Sequence, residues 1–206
     1  FNTIWLALAA ALLSTVLGTA GAIGIFYSKR KFAKPLQAVS QIPVINAEIV
    51  TAISLALLFS AVFLYRTYLS LIVGHMVLCT PFVVLSVMPK LKQMDPNIYE
   101  AALDFGAIPS AALFKVVIPQ IFSGIVSGFM LSITLSLDDY IVTAFTKPPM
   151  FDTISTYVYN AVKNGTNSST PALRALSALI FIVMIAVLLA INLRARRPAA
   201  KKEAAQ

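Results

Sequence analysis

Five long stretches of the sequence contain no Asp, Glu, Lys or Arg, and this feature constrains the fold more than any other. They cover residues 1–28, 49–65, 67–89, 116–137 and 175–193. Each is close to the roughly 20 apolar residues that cross a hydrocarbon core as an α-helix. With 59% apolar and only 12% charged residues, the chain also has too little polar surface for a soluble globule. The sequence therefore predicts an all-α polytopic membrane protein.

The stretches and their flanks predict five membrane spans, at about 2–26, 36–64, 69–88, 116–137 and 172–193. The second is too long for one straight crossing, and Pro43 removes a helix hydrogen bond near its start, so we expect a break there. A loop, 89–115, separates the third and fourth spans, and a basic tail, 194–206, follows the last. Gly124 and Gly128 form a GxxxG pair, which is typical of close helix packing.

Other small and polar residues inside the spans indicate helix packing. Gly18, Gly21 and Gly24 predict a small-residue stripe that lets another helix approach the first span. Cys79 is the single cysteine, so neither a disulfide framework nor a thiol metal site is expected. His75 has no second ligand at metal-binding spacing, and we expect it to make a helix-to-helix hydrogen bond.

Lys and Arg are distributed unevenly between the two sides of the predicted spans. Twelve of the sixteen lie on one side: Lys29, Arg30, Lys31, Lys34, Lys90, Lys92, Lys115, Arg194, Arg196, Arg197, Lys201 and Lys202. Since cations concentrate on cytoplasmic flanks, the 89–115 loop and the tail are predicted inside and the 138–171 loop outside. This explains the net charge of +8 without a nucleic-acid partner. The chain then starts outside without a signal sequence, so we expect a preceding span and six spans in the full-length protein.

The cytoplasmic loop contains the pattern of a short amphipathic helix. Asp95 is a natural N-cap, Pro96 suits the first helical position, and Gly106 can adopt the left-handed conformation that ends a helix. The apolar residues with helical spacing are Ile98, Ala101, Ala102 and Phe105. A second short helix is predicted from Ser110 towards Pro119.

This helix could lie on the lipid interface or dock into another protein. Interfacial helices favour bulky apolar residues with Lys and Arg. Here the face is small and Ala-rich, and Glu100 and Asp104 flank it. The composition therefore favours docking into a protein groove.

At this point the sequence resembles a known family. Glu100-Ala101-Ala102, then Gly106, then Val116, Ile118 and Pro119 are similar in type and spacing to the EAA loop of ABC importer permeases, E-A-A, three residues, G, nine residues, I-x-L-P. Val116 and Ile118 are conservative departures from that pattern. The resemblance extends over essentially the whole chain.

The resemblance implies a type I ABC importer permease fold in the bacterial inner membrane. In that family the loop is a coupling helix that inserts into a cytoplasmic ATPase. The coupling residues implied here are Glu100, Ala101, Ala102, Phe105, Gly106 and Pro119. The implied partners are membrane lipid, a second permease subunit, an ATPase dimer that binds the ATP, and an extracytoplasmic solute-binding protein. No cofactor is implied in this chain, and no enzyme activity.

Two further stretches, 48–55 and 136–146, are similar to those of spermidine and putrescine importer permeases, although permeases for other small solutes carry similar stretches. The resemblance implies a polyamine as the small-molecule substrate. Carboxylates bind ammonium groups through charge-assisted hydrogen bonds, and aromatic faces attract them. The substrate-pathway residues implied are Glu48, Asp138, Asp139, Tyr140 and Phe145.

Each of these acidic residues also has a simpler interpretation. Glu48 is the only carboxylate inside a hydrophobic run, where it must face protein, water or a partner, and the Pro43 break could instead leave it near the cytoplasmic interface. Asp138 and Asp139 are predicted at the outer mouth, where they could be a solvated helix end. Acids are unfavourable at a helix C-terminus, however, which favours a second role.

Competing functions lack their expected sequence features. The chain has no G-x-x-x-x-G-K-[ST] motif, so the energy for transport must come from a partner. A self-sufficient secondary transporter or channel is the alternative, and it should show an internal repeat or several buried charges, which the sequence does not display. A membrane enzyme would need a nucleophile or metal cluster that the sequence also does not display.

The predicted topology can be tested by cysteine labelling on a Cys79→Ala background. A cysteine at position 165 should react with an impermeant reagent added outside, because the cation count places the 138–171 loop there. Reaction only with reagent added inside would refute the assignment.

Overall fold

The computed structural model describes residues 1–95 and 97–163, together with positions 171, 172, 175, 178, 179, 182, 183, 185 and 186. Helices dominate, and the described part of the chain contains no strand, in agreement with the all-α prediction. The predicted span 172–193 lies largely outside the described residues, and the tail 194–206 lies outside them entirely. The chain divides into two compact units, residues 1–151 and 152–206.

The helices of the first unit are α1 (Asn2–Tyr27), α2 (Arg30–Ser40), α3 (Ile42–Ile45), α4 (Glu48–Ala61), α5 (Tyr68–Gln93), α6 (Asn97–Asp104), α7 (Pro109–Ala112), α8 (Ile118–Asp138) and α9 (Ile141–Thr146). A π-helical turn, Leu113–Val117, joins α7 to α8. The second unit contains α10 (Ile154–Lys163). Two hydrogen bonds close its first turn. The Thr153 hydroxyl accepts the Thr156 N–H at 3.4 Å, and the Thr156 hydroxyl accepts the Thr153 N–H at 2.9 Å.

Three continuous helical segments are long and apolar enough to cross a membrane: α1, α5 and residues 109–138. They correspond to the first, third and fourth predicted spans. Helix α5 continues to Gln93, past the predicted end at 88, although Pro89 lies inside it. Lys90 and Lys92 in its last turn interact favourably with the negative end of the helix dipole. The connecting loop therefore begins at Met94 instead of 89.

The second predicted span, 36–64, is not one helix, and its break lies elsewhere than expected. The α2–α3 segment and α4 meet at an angle of 103°. The bend falls at Asn46 and Ala47, whose backbones are extended. Pro43 lies in the first turn of α3, where its missing N–H breaks no intrahelical bond. The break was predicted at Pro43, but the bend begins three residues later, at Asn46.

A close seam of small residues joins α8 to α5. The buried residues of α8 include Gly124, Gly128, Ser132 and Ser136, each four positions after the last. A Cβ at Gly124 would lie 3.0 Å from the Ser86 carbonyl oxygen, and one at Gly128 would lie 3.1 Å from the Val83 Cα. The predicted GxxxG packing is confirmed, and two serines extend it along the helix.

Helix α1 approaches α5 through only one of its three predicted glycines. A Cβ at Gly18 would lie 2.6 Å from Val83 Cβ, whereas one at Gly21 or Gly24 would meet nothing within 4 Å. Steps of three residues rotate about 60° backwards around a helix of 3.6 residues per turn, so the three glycines do not share one face. Among the described residues, only Gly18 of the predicted stripe is used for close helix packing.

Replacing Gly128 with Val should destabilise the protein, because the new side chain would meet the α5 backbone and force the helices apart. Overpacking of this kind costs about 1–3 kcal/mol. The measurement is thermal unfolding of the purified protein, with Gly21→Val as the matched control in open space. Equal melting temperatures for the two variants would contradict the packing assigned to the seam.

Candidate functional site

The fourth span does not end where the acidic pair begins. Helix α8 stops at Asp138, Asp139 has an extended backbone, and α9 starts at Ile141. The Asp139 carboxylate satisfies the exposed start of α9, because Oδ1 accepts the Val142 N–H at 3.1 Å and Oδ2 accepts the Thr143 N–H at 2.8 Å. The Thr143 hydroxyl also donates to Oδ2, at 2.7 Å. Asp139 therefore caps a helix that continues after the break.

Helix α9 runs back along α5 towards its first residue. The Ser70 hydroxyl donates to the Thr146 carbonyl oxygen at 3.0 Å, and Asp139 Oδ2 lies 3.5 Å from His75 Nε2. His75 is seven residues into α5, about 10 Å along the axis from Tyr68 at 1.5 Å per residue. Asp139 therefore lies about 10 Å along the α5 axis from the first residue of that helix, and the placement of Asp138 and Asp139 at the outer mouth stays a prediction.

A cavity of about 570 Å³ opens at this break. Its walls are formed by Pro43, Val44, Asn46, Glu48, Thr51, Leu78, Phe82, Thr134, Leu135, Asp138, Asp139, Tyr140 and Ile141. The 103° bend before α4 directs the start of that helix towards the break, so Glu48 lines the same cavity as Asp138 and Asp139. Four of the five substrate-pathway residues implied by the sequence are thus brought together, while Phe145 is half-buried on α9 and does not line this cavity.

The two adjacent aspartates occupy different environments. Asp139 is only 5% exposed and accepts three hydrogen bonds from the first turn of α9. Asp138 is exposed at the cavity wall, as is Glu48. Asp138 and Glu48 are therefore accessible to a ligand, whereas Asp139 mainly holds the wall in place.

Sequence reasoning missed the neutral part of the lining. Asn46 belongs to the bend before α4 and Thr51 to the first turn of α4, and the Asn46 side chain lies 3.4 Å from the Thr51 hydroxyl. Leu78 and Phe82 supply apolar surface from α5. Their i, i+4 spacing on one helix was visible in the sequence, but nothing there distinguished this face from the lipid-facing ones.

The predicted coupling helix is present as α6. Asp95 Oδ1 accepts the Asn97 N–H at 2.9 Å, which confirms the expected N-cap side chain. Gly106 has φ +84°, and its N–H and that of Ala107 bond back to Leu103 and Ala102. The predicted left-handed end of the helix is therefore confirmed.

The predicted apolar face of α6 is divided between two sides. Ile98 and Ala102 are half-buried, and the neighbouring Tyr99 packs against the core of α1, α5 and α8. Ala101 and Phe105 face away, with Phe105 94% exposed. A single docking face through all four residues is wrong, because the protein itself covers half of it.

The exposed side of the loop carries the other predicted coupling residues. Glu100 is exposed beside Ala101, and Ile108 and Phe114 extend the apolar surface beyond the Gly106 turn. Pro119 lies in the first turn of α8, immediately after the π-helical turn. The Ile118 N–H bonds to the Leu113 carbonyl five residues back, and Pro119 has no N–H to continue the usual pattern.

Comparisons with known proteins agree with this architecture. Residues 14–197 match the family described as binding-protein-dependent transport system inner membrane component. The chain is 29% identical to the spermidine/putrescine transport system permease protein PotC of Haemophilus influenzae, over 95% of this chain and 75% of the relative. It is 31% identical to PotC of Escherichia coli K12, over 95% and 73%. The putrescine transport system permease protein PotI of the same strain is 32% identical, over 86% and 65%.

The match extends from α1 through the break and the cavity, and the loop motif lies within it. Together with the three long apolar helices, it places the protein in the inner membrane as a multi-pass subunit. The chain belongs to the family of binding-protein-dependent transport system inner membrane components, as a permease subunit of an ABC importer.

Proposed function

We propose that this permease subunit forms half of a pathway for a small organic cation, such as spermidine or putrescine, and that the cavity at the α8–α9 break contacts the solute. The observation that carries the proposal is the charge of the cavity. Three of the eight acidic residues of the chain line it, and no Lys or Arg is among its described lining residues.

The grouping of Glu48, Asp138 and Asp139 around one cavity favours a cationic ligand. Carboxylates that line one cavity repel each other, and a bound cation relieves that repulsion. An ammonium group can donate a charge-assisted hydrogen bond to the exposed Glu48 carboxylate. Asp138 offers a further carboxylate on the same wall for a second ammonium group.

The rest of the lining suits the carbon chain of such a solute. Leu78, Phe82 and Leu135 supply apolar surface for methylene groups, and Tyr140 supplies an aromatic face. A volume of about 570 Å³ is within the usual range for small-molecule sites. The relatives named for polyamine transport support the same solute class.

We further propose that the exposed side of α6 docks on a cytoplasmic ATPase dimer, which binds and hydrolyses the ATP, and that a second permease and a solute-binding protein complete the importer. Glu100, Ala101 and Phe105 are exposed there, and the Gly106 turn fixes the angle between α6 and α7. Helix α8 then leads from this loop to Asp138 at the cavity. A self-sufficient transporter would instead move solute without the ATPase.

Replacing Asp138 with Asn should weaken uptake without harming the fold, because Asp138 contributes charge at an exposed position. Loss of one charge-assisted hydrogen bond costs about 1.5–3 kcal/mol, so KM should rise at least about tenfold. The measurement is radiolabelled polyamine uptake by vesicles carrying the whole complex, alongside pull-down of the ATPase. Glu48→Gln should behave in the same way.

Asp139→Asn is the matched comparison. Its amide would place a donor against the N–H groups of α9, so this variant should lose thermal stability and membrane abundance. Wild-type KM in Asp138→Asn would leave Asp138 as a solvated helix end. Failure of the wild-type complex to carry any polyamine would refute the solute class but spare the importer family.

Replacing Gly106 with Val should uncouple ATP hydrolysis from uptake, because a β-branched residue is strained at φ +84°. No atom lies within 4 Å of a Cβ at this position, so the effect comes from the backbone alone. Gly106→Asn is the control, since Asn tolerates the left-handed conformation better. Uptake and ATPase rates are measured at equal membrane abundance, and unchanged uptake by Gly106→Val would count against the coupling role.

A further inference from the structure

One buried imidazole joins the two helices on either side of the break. His75 of α5 is fully buried. Its Nδ1 lies 2.8 Å from the Ser136 hydroxyl in the last turn of α8, and its Nε2 lies 3.0 Å from the Thr143 hydroxyl in the first turn of α9. The predicted helix-to-helix hydrogen bond of His75 is confirmed, and it is double.

The surrounding bonds define which ring nitrogen carries the hydrogen. Asp139 Oδ2 accepts the Thr143 N–H, and the Thr143 hydroxyl lies 2.7 Å from the same oxygen, so its single hydrogen points to Oδ2. The Thr143 oxygen must then accept from His75, which requires a hydrogen on Nε2. In a neutral ring Nδ1 is the acceptor, and Ser136 donates to it.

These four groups form a chain of hydrogen bonds with one direction. Ser136 donates to His75, His75 to Thr143, and Thr143 to Asp139. Aligned donors polarise one another, which strengthens the last bond. The chain ends on a carboxylate that lines the cavity together with Glu48.

We propose that His75, as the neutral Nε2–H tautomer, is a positioning residue of the solute cavity. It holds the Thr143 hydroxyl, which orients the Asp139 carboxylate between the first turn of α9 and the cavity. This inference rests on the proposed function only in that the cavity is taken as the solute site.

Packing alone does not require a histidine here. The seam between α5 and α8 is otherwise made by small residues, and α9 comes close to α5 at Gly74, where a Cβ would lie 2.9 Å from Val142 Cγ1. An apolar side chain of similar size could fill the space of the ring. It could not supply a donor to Thr143 and an acceptor to Ser136 at once.

Two substitutions separate the two ring contacts. The amide nitrogen of Gln at position 75 reaches the place of Nε2 and can still donate to Thr143, whereas the shorter Asn reaches only the place of Nδ1. We expect His75→Gln to keep KM for polyamine uptake within about twofold of wild type and His75→Asn to raise it about tenfold, the equivalent of one buried hydrogen bond. A purely structural role would instead lower abundance and the maximal rate in both variants, and that result would overturn the proposal.

A second pair leaves His75 in place. Thr143→Ser keeps the hydroxyl that links the ring to Asp139, and Thr143→Val removes it at nearly constant volume. Only Thr143→Val should raise KM. Equal KM values for these two variants would also overturn the proposal, including in the case where a His75 variant fails to fold.

The tautomer has a direct readout that needs no solute. In the assembled complex labelled with ¹⁵N-histidine, the signals lost in His75→Gln belong to His75. They should show a protonated Nε2 and an unprotonated Nδ1, and backbone amide exchange at Val142 and Thr143 should be faster in His75→Asn than in His75→Gln. A protonated Nδ1, with or without a proton on Nε2, would overturn the inference. If the wild-type complex carries no polyamine, the proposed function fails, and the tautomer and exchange results still decide the positioning role.

Discussion

The break between α8 and α9 depends on one carboxylate. Inside a membrane region the backbone groups exposed by a broken helix must be satisfied by the protein itself. Asp139 does this with both oxygens, through the N–H groups of Val142 and Thr143. Without this cap the first N–H groups of α9 would lose their partners, which would destabilise the wall of the cavity that opens there. The acidic site is therefore a consequence of how the break is stabilised.

The seam of small residues determines what surrounds that break. Gly124 and Gly128 let the backbones of α5 and α8 approach closely, and Ser132 and Ser136 continue the same face. This close approach brings Ser136 within 2.8 Å of His75 and so places a polar cluster beside Asp139. One face of α8 therefore makes both kinds of contact. Its residues nearer the loop pack closely against α5, and those nearer the cavity make hydrogen bonds.

Helix α8 also connects the two functional regions in a simple mechanical way. Its 21 residues span about 31 Å at 1.5 Å per residue. One end adjoins the exposed loop through the π-helical turn Leu113–Val117, and the other end carries Asp138. Because a rigid helix moves as a unit, displacement of the loop would also displace the cavity wall. Helical irregularity is confined to the two ends, at the π-helical turn and at the break.

Sequence reasoning identified features that depend on local chemistry. Charge-free apolar stretches of spanning length predicted α1, α5 and α8, and the capping residue Asp95 and the turn residue Gly106 marked the two ends of α6. It also named Glu48, Asp138, Asp139 and Tyr140, since carboxylates beside apolar runs are costly unless they have a role. These conclusions need only a residue and its near neighbours along the chain.

Other features were decided only by contacts between distant segments. The extended backbone at Asn46, and not Pro43, bends the second span, because a proline in a first helical turn disturbs nothing. Asp138 and Asp139 look alike in sequence, yet one is exposed and the other is a buried cap, since Asp139 binds the start of α9, which packs on α5. The sequence by itself determined a membrane-spanning helical chain, the short helix in its 89–115 loop and its acidic residues. Tertiary packing alone decided which carboxylates line one cavity and that His75 joins both sides of the break, because those arrangements link residues more than 60 positions apart.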